Sequence, residues 1–413
     1  MLEMKPGIPV AIVAALGLTQ IVGYGTLYYS FSVLAPGMAR DLGLNVEQVF
    51  GVFSASLLVG GLSAPFVGRW MDRVGAATIM TIGSGISALA LMLCAWSPSI
   101  AVFAFAIVLL EVASGMVQYQ AAFATLVESR PKAASRSITY LTLIGGFAST
   151  IFWPIATSLN EHLTWREIYT AYAALNLLVC LPLHHWIMRS RRSEAAAFTR
   201  QDGEAIVGAL PPEVRRRGMF LVSLAFALQG FALSAILTHM VPMLGSIGFG
   251  TAAVVIGSLF GPAQVLSRLI NMACGKNLPP PMLATLSAAL IVVAVVVLGV
   301  SGKWLPGAVV FAICLGLGSG INSIAQGALP LWLFGSVGYG AITGRMSAAR
   351  LVAGALAPFI FSVLMERLGI NVALMANGCL GAVGMAAFIA VASAAKRTAT
   401  TTPWAPPPCT SNQ

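Results

Sequence analysis

The 413 residues are 58% hydrophobic and only 9% charged, with a mean hydropathy of +0.88, whereas a water-soluble domain carries about a quarter charged residues. A chain this apolar is a polytopic membrane protein, which excludes a soluble enzyme or soluble binding module. The net charge of +10 raises nucleic acid as a partner, but the placement of the charges accounts for the surplus without it.

Taken in order, the sequence predicts twelve membrane-spanning helices, at roughly 8–35, 47–67, 77–96, 99–126, 136–158, 165–188, 218–245, 251–273, 282–301, 304–332, 340–365 and 371–395. The first apolar run is too long for the short apolar region of a signal peptide and is expected to stay as span 1. The one long polar segment, 189–217, carries seven arginines and the pair Pro211-Pro212, and reads as a flexible cytoplasmic linker. It divides the chain into an N-terminal bundle of six spans (1–188) and a C-terminal bundle of six (218–395). The tail, 396–413, is rich in Pro and Thr and reads as a disordered cytoplasmic segment. Cys94, Cys180, Cys274, Cys314, Cys379 and Cys409 form no C-x-x-C pair, and are read as reduced and structural.

Spans 2 and 3 are joined by a charged island, Gly68-Arg69-Trp70-Met71-Asp72-Arg73-Val74-Gly75, which forces a tight antiparallel hairpin. Its glycines permit a sharp turn and close helix approach. An ordinary positive loop that fixes orientation is the plain alternative. The pattern G-x-x-x-D-R-x-G resembles the loop between spans 2 and 3 of the major facilitator superfamily of transporters. That resemblance implies two pseudo-symmetric six-helix bundles around a central cavity lined by spans 1, 4, 7 and 10. It also implies that Asp72 caps the N-terminus of span 11, near Arg345, where a helix dipole favours an anion.

Orientation follows from the basic residues. With the N-terminus placed in the cytoplasm, 17 of the 23 Lys and Arg fall on the inner side and four outside, and Arg268 and Arg350 lie within spans. The excess faces the anionic inner leaflet. A bacterial inner membrane, with both termini cytoplasmic, is the expected location. The two halves also repeat: Arg136, Gly145 and Ala148 of span 5 recur as Arg345, Gly354 and Ala357 in span 11, Gly115 recurs as Gly320, and Gly51 as Gly257. In the second half the signature loop has decayed to Cys274-Gly275-Lys276-Asn277-Leu278.

Charges inside a bilayer are costly and are functional candidates by default. Glu111, midway along span 4, shares a helical face with Gly115 and Gln118. Without an adjacent cation it is a candidate to carry a proton for coupling; the alternative is a protonated carboxyl that only bridges two helices. The Arg that proton antiporters of the superfamily often carry in span 4 is replaced here by Glu111. Arg268 in span 8 shares a face with Gln264 and Asn271, and its guanidinium suits a carboxylate. The stretch Gln264-Val265-Leu266-Ser267-Arg268 resembles the span-8 Asp-x-x-x-Arg of the monocarboxylate transporter family, which implies an arginine that meets the substrate carboxylate. Gln264 replaces that family's aspartate, and Tyr28-Tyr29 stands where the animal members carry a span-1 lysine. A structural arginine paired with Glu111 or with backbone carbonyls remains the alternative. Arg350, in span 11, is read as structural or gating.

Neutral polar groups extend the expected lining. Span 1 offers Gln20, Tyr24 and Tyr28 at i, i+4 and i+8. Span 4 adds Gln118, Tyr119 and Gln120, span 7 Gln229 and His239, and span 10 Asn322 and Gln326. Any one of them is equally a candidate for helix-to-helix bonding. His184-His185, ending span 6, is read as interfacial. At the inner ends Gly68, Asp72, Arg73, Gly75, Glu128, Arg136 and Arg345 form the expected gate, with Glu128 paired to Arg73 or Arg136.

The functional expectation is a secondary active transporter, proton-coupled, with a small monocarboxylate-like anion as the favoured substrate. The alternative is efflux of a toxic compound: Gly23–Phe31 and Gly145–Thr150 are similar to bacterial members of the branch, some of which export arsenite. A non-transporting receptor is a further alternative. No catalytic motif, metal-ligand spacing or phosphate loop is present in the sequence, so neither enzyme activity nor a metal or cofactor is expected. The expected partners are a small-molecule substrate, protons and the bilayer, with the protein a monomer.

Overall fold

A computed structural model of the chain describes residues 9–197, 205–274 and 278–401. Among these, twelve helical stretches are long and apolar enough to cross a membrane. They are α1 (Val10–Leu42), α2 (Val46–Val74), α3 (Ala76–Ala95), α4 (Ile100–Ser129), α5 (Pro131–His162), α6 (Trp165–Arg191), α7 (Pro212–Phe249), α8 (Ala252–Cys274), α9 (Pro280–Ser301), α10 (Leu305–Phe334), α11 (Tyr339–Leu368) and α12 (Ile370–Ala395). Each predicted span has its helix, with ends shifted by several residues. Lys5, Arg200 and Lys276, which enter the charge reading, lie outside the described residues, as does the tail from 402 onward.

Local chemistry sets the ends. Asn45 accepts from the amide of Gln48 at 2.7 Å while Gln48 returns a bond to the amide of Asn45, a capping box that starts α2. Thr164 and Glu167 do the same for α6. Proline at the first or second position opens α5, α7 and α9, where a missing amide costs nothing. Gly75, at φ +91°, turns the chain between α2 and α3 in a conformation that other residues rarely adopt.

The polar segment between α6 and α7 departs from the flexible linker that its composition suggests. The helix of α6 continues to Ala197, and Pro212–Arg217 already belongs to α7. Residues 206–210 lie as a strap against the end of α10. The amides of Ala209 and Leu210 donate to the carbonyls of Trp332 and Leu333 at 2.9 and 3.0 Å, and Ser336 donates to Ile206 at 3.0 Å. Val207 and Gly335 form an antiparallel bridge, and Arg215 bonds the carbonyl of Phe334. Proline and arginine content argued for exposure; the exposed carbonyls at the end of α10 supplied partners instead.

Helices 1–6 meet helices 7–12 along α2 with α11, α5 with α8 and α10, and α4 with α10 and α11. The residue contacts lie at mid-depth or toward the end that holds Gly75, here termed the loop end. Gly61 packs on Leu351, Gly344 on the carbonyl of Ala64, Gly68 on Gly340, and Gly327 on Phe123 and Ile138. A buried cluster of the first six helices takes in Leu331 and Tyr339 from the second six at this same end. At the opposite end the outer half of α5 borders an open cleft lined by Ser149, Thr150, Trp153, Pro154, Thr157, Ser158 and Glu161. The two halves thus pack together at the loop end, whereas the cleft at the other end is lined by α5 alone.

Candidate functional site

Four helices of the first half are interrupted near mid-depth, α6 by a π-turn over Asn176–Cys180 and three others at the candidate site. α1 has a π-turn over Gly25–Tyr29, α4 breaks at Gln118, where φ/ψ is −81/−166°, and α5 breaks across Gly146 and Phe147. Such interruptions at membrane depth occur where backbone lines a cavity or is covered by protein. The π-turn has a direct effect on the lining: its extra residue brings Tyr29 round beside Tyr24 and Tyr28. Ring centroids are 6.2 Å apart for Tyr24 and Tyr29, 5.4 Å for Tyr28 and Tyr29, and 4.9 Å for Tyr24 and Tyr119. Tyr29 then meets Trp153 at 5.8 Å, and Tyr119 stacks on Phe123 at 5.2 Å. The result is one aromatic wall running from the open cleft to the loop-end closure.

Arg268 faces this wall from α8. It is 3% exposed, and its Nη2 donates to Ser323 Oγ of α10 at 3.0 Å. Nε and Nη1 are buried with no hydrogen-bond partner. Nη1 lies against the backbone of Gly146, where an added methyl group would collide with it. Tyr29 and Tyr119 are within its electrostatic range. Arg268 forms no ion pair with Glu111, and its one hydrogen bond goes to a hydroxyl, so the structural alternative finds no such partners. Gly146→Ala is therefore expected to push the guanidinium off Ser323 and to lower the melting temperature of the purified protein by a few degrees, about the loss of one hydrogen bond.

Glu111 occupies α4 opposite Gly60 of α2. It is 7% exposed, makes no hydrogen bond or ion pair, and its Oε1 is buried without a partner. A carboxyl so placed holds its proton or waits for one. Arg350 of α11 borders a small cavity lined with Phe226, Gln326, Thr343, Met346 and Ser347. The sequence reading made Arg350 structural or gating; its side chain borders this small cavity.

The loop end is locked by backbone. Asp72 accepts from the amides of Gly340 and Ala341 at 2.8 and 2.7 Å, at the first turn of α11. The carbonyls of Gly68 and Gly340 press on each other's Cα, leaving no room for a side chain on either. Glu128 accepts from the amide of Ala76 at 3.0 Å and pairs with Arg191. This corrects the expected pairing with Arg73 or Arg136: all three of Arg73, Arg136 and Arg345 are exposed, and the helical continuation of α6 brings Arg191 to the carboxylate first.

Residues 16–358 match the family described as Major Facilitator Superfamily. The chain belongs to the major facilitator superfamily. Among curated relatives, the multidrug resistance protein MdtL of Klebsiella pneumoniae is 25% identical over 257 residues, 59% of this chain and 60% of that protein. The match therefore spans about three-fifths of that relative's length. The human organic anion transporter MFSD10 superposes with a TM-score of 0.72 over 93% of this chain and all of that one, at 14% identity. The proton:xylose symporter XylE gives 0.71 over 93% and 95%, at 11% identity. Both are likenesses of fold.

Other expected lining residues of this chain fall into two groups. Tyr24, Tyr28 and Tyr119 form the aromatic wall, and Gln326 borders the Arg350 cavity. Gln264 instead donates to Ser319 of α10 at 2.9 Å, and so joins two helices. Gln20 bonds the carbonyl of Val117 at 2.8 Å, tying α1 to the break in α4. Gln118, Asn271 and Asn322 are polar groups largely packed among helices, Gln118 and Asn271 each with an unpartnered buried atom. His184 is a correction: far from interfacial, it is 1% exposed and bridges Ser84 at 2.7 Å and Thr19 at 2.9 Å. Three lining groups escaped the sequence reading as ligand candidates. Tyr29 and Trp153 are placed by the helix interruptions, and Ser323 by the register of α8 on α10.

Proposed function

We propose that this transporter is a secondary active carrier that moves a small organic anion by alternating access, with Arg268 holding a carboxylate and Glu111 carrying the coupling proton. The observation that carries this reading is a buried guanidinium at the meeting of the two halves with two N–H groups left for an oxyanion. The domain boundaries expected from the sequence fit this scheme, with helices 1–6 and 7–12 rocking about the chamber. The distribution of Lys and Arg supports a cytoplasmic loop end and an inner-membrane location. On that orientation the contact of Gly68, Asp72, Gly75 and Gly340 forms the closed inner gate. The test is uptake of radiolabelled organic acids into proteoliposomes under an imposed pH gradient. Wild type is expected to accumulate at least one acid, Arg268→Ala to lose about a hundredfold and Arg268→Lys to recover only part, because lysine lacks the fork. Undiminished transport by Arg268→Ala overturns the proposal.

A second reading, export of an aromatic compound, draws support from the wall of Tyr24, Tyr28, Tyr29 and Trp153 and from the name of the MdtL relative. Its signature is transport of a neutral or cationic aromatic dye that Tyr29→Ala abolishes and Arg268→Ala leaves intact.

A further inference from the structure

The chamber contains a second fixed cation that the single-arginine reading leaves unused. Arg350 comes from α11, its Cγ held against Gly230 of α7, and among the described residues it has neither a hydrogen bond nor an ion pair. Arg268 comes from α8 with Nε and Nη1 unpartnered. The two guanidiniums front one tyrosine cluster: Arg268 is near Tyr29 and Tyr119, Arg350 near Tyr24 and Tyr28. Within that cluster Tyr24 lies 4.9 Å from Tyr119 and 6.2 Å from Tyr29, centroid to centroid. The two charges therefore act on a single cluster of rings.

A guanidinium does not shed its proton, so neither charge is relieved by deprotonation. Among the described residues Glu111 is the carboxyl that acts on Tyr28 of the cluster, and it is ion-paired to neither arginine. With Glu111 protonated, a monoanion compensates one cation and leaves the other without a counter-charge. We infer that the transported anion is a dianion, a small dicarboxylate whose two carboxylates meet Arg268 and Arg350 while its carbon chain lies on the tyrosines. This rests on the reading that Arg268 binds the substrate and narrows the class of anion. Both cations sit on helices 8 and 11 of the second half and the phenols on the first, so one such ligand would span the two halves.

The test compares dicarboxylates (malonate, succinate, glutarate) with monocarboxylates (propionate, butyrate, pentanoate) as ligands of the purified full chain in calorimetry and as substrates in counterflow. Wild type is expected to bind at least one dicarboxylate about tenfold more tightly than the monocarboxylate of like length. Arg350→Gln is expected to remove that preference, weakening the dicarboxylate about tenfold and leaving the monocarboxylate unchanged, whereas Arg350→Lys retains most of it. Equal affinity for the two classes in wild type overturns the inference, and so does an Arg350→Gln change that weakens both alike. If monocarboxylates alone bind, and Arg268→Ala removes them, the anion reading stands and the dianion inference falls. If no acid of either class binds, the anion reading falls with it.

Discussion

Gly68→Val is expected to abolish transport while the protein still reaches the membrane and elutes as a folded species. The gate between α2 and α11 is closed by main chain against main chain: the Cα of each of Gly68 and Gly340 rests on the other's carbonyl, and Gly344 rests on that of Ala64. No rotamer change can make room at such a contact. The helices must separate, at about 1–3 kcal/mol for the overpacking. Separation also breaks the bonds from Gly340 and Ala341 to Asp72, each charge-assisted and worth about 1.5–3 kcal/mol. A loss of about 4 kcal/mol, the low end of that sum, shifts a two-state balance by about a thousandfold toward the form that is open at the loop end. Spin labels on the ends of α2 and α11 will read that shift as a longer distance. Gly299→Val is the control: Gly299 lies exposed on α9 with nothing near its Cα, and the same substitution there leaves transport in place. Wild-type turnover by Gly68→Val would remove the gate from this contact.

The second large effect is at Glu111. Glutamine keeps the shape and much of the hydrogen-bonding capacity but carries no titratable proton, and as a neutral group it avoids the cost of a buried charge. Glu111→Gln is therefore expected to fold normally and to lose gradient-driven accumulation by at least about tenfold. Counterflow, which needs only substrate on both sides, stays near the wild-type rate. Sensitivity of the residual uptake to an imposed pH gradient is the decisive reading: it vanishes if Glu111 is the coupling group. Unchanged accumulation assigns the proton elsewhere.

Most of the architecture was legible because a bilayer admits so few solutions. Runs of about 20 apolar residues become helices, and a hairpin with glycines and an aspartate at fixed spacing becomes a tight cap. Arg268 and Glu111 stood out for the same reason: no neighbouring residue in sequence could pay for them. What stayed hidden depends on register between distant helices. Gln264 and Arg268 share one face, yet Ser319 and Ser323, 55 residues away, decide that the first is bound to α10 and the second keeps free N–H groups. Tyr29 was masked by strict i, i+4 counting, which a π-turn breaks. Arg191 was masked by composition: a run of arginines after a span resembles loop, while the helix of α6 simply continues through it.

The unequal continuity of the helices has a mechanical consequence. In the second half α10 and α11 each run 30 residues without a break, and α7 is continuous from Pro212 to Leu244. Their counterparts α1, α4 and α5 are jointed at the depth of the tyrosines. One side of the molecule is then a stiff lever and the other a compliant cushion. Ligands of different size would be accommodated by give in the tyrosine-bearing joints, while the stiff side carries the movement to the far end intact.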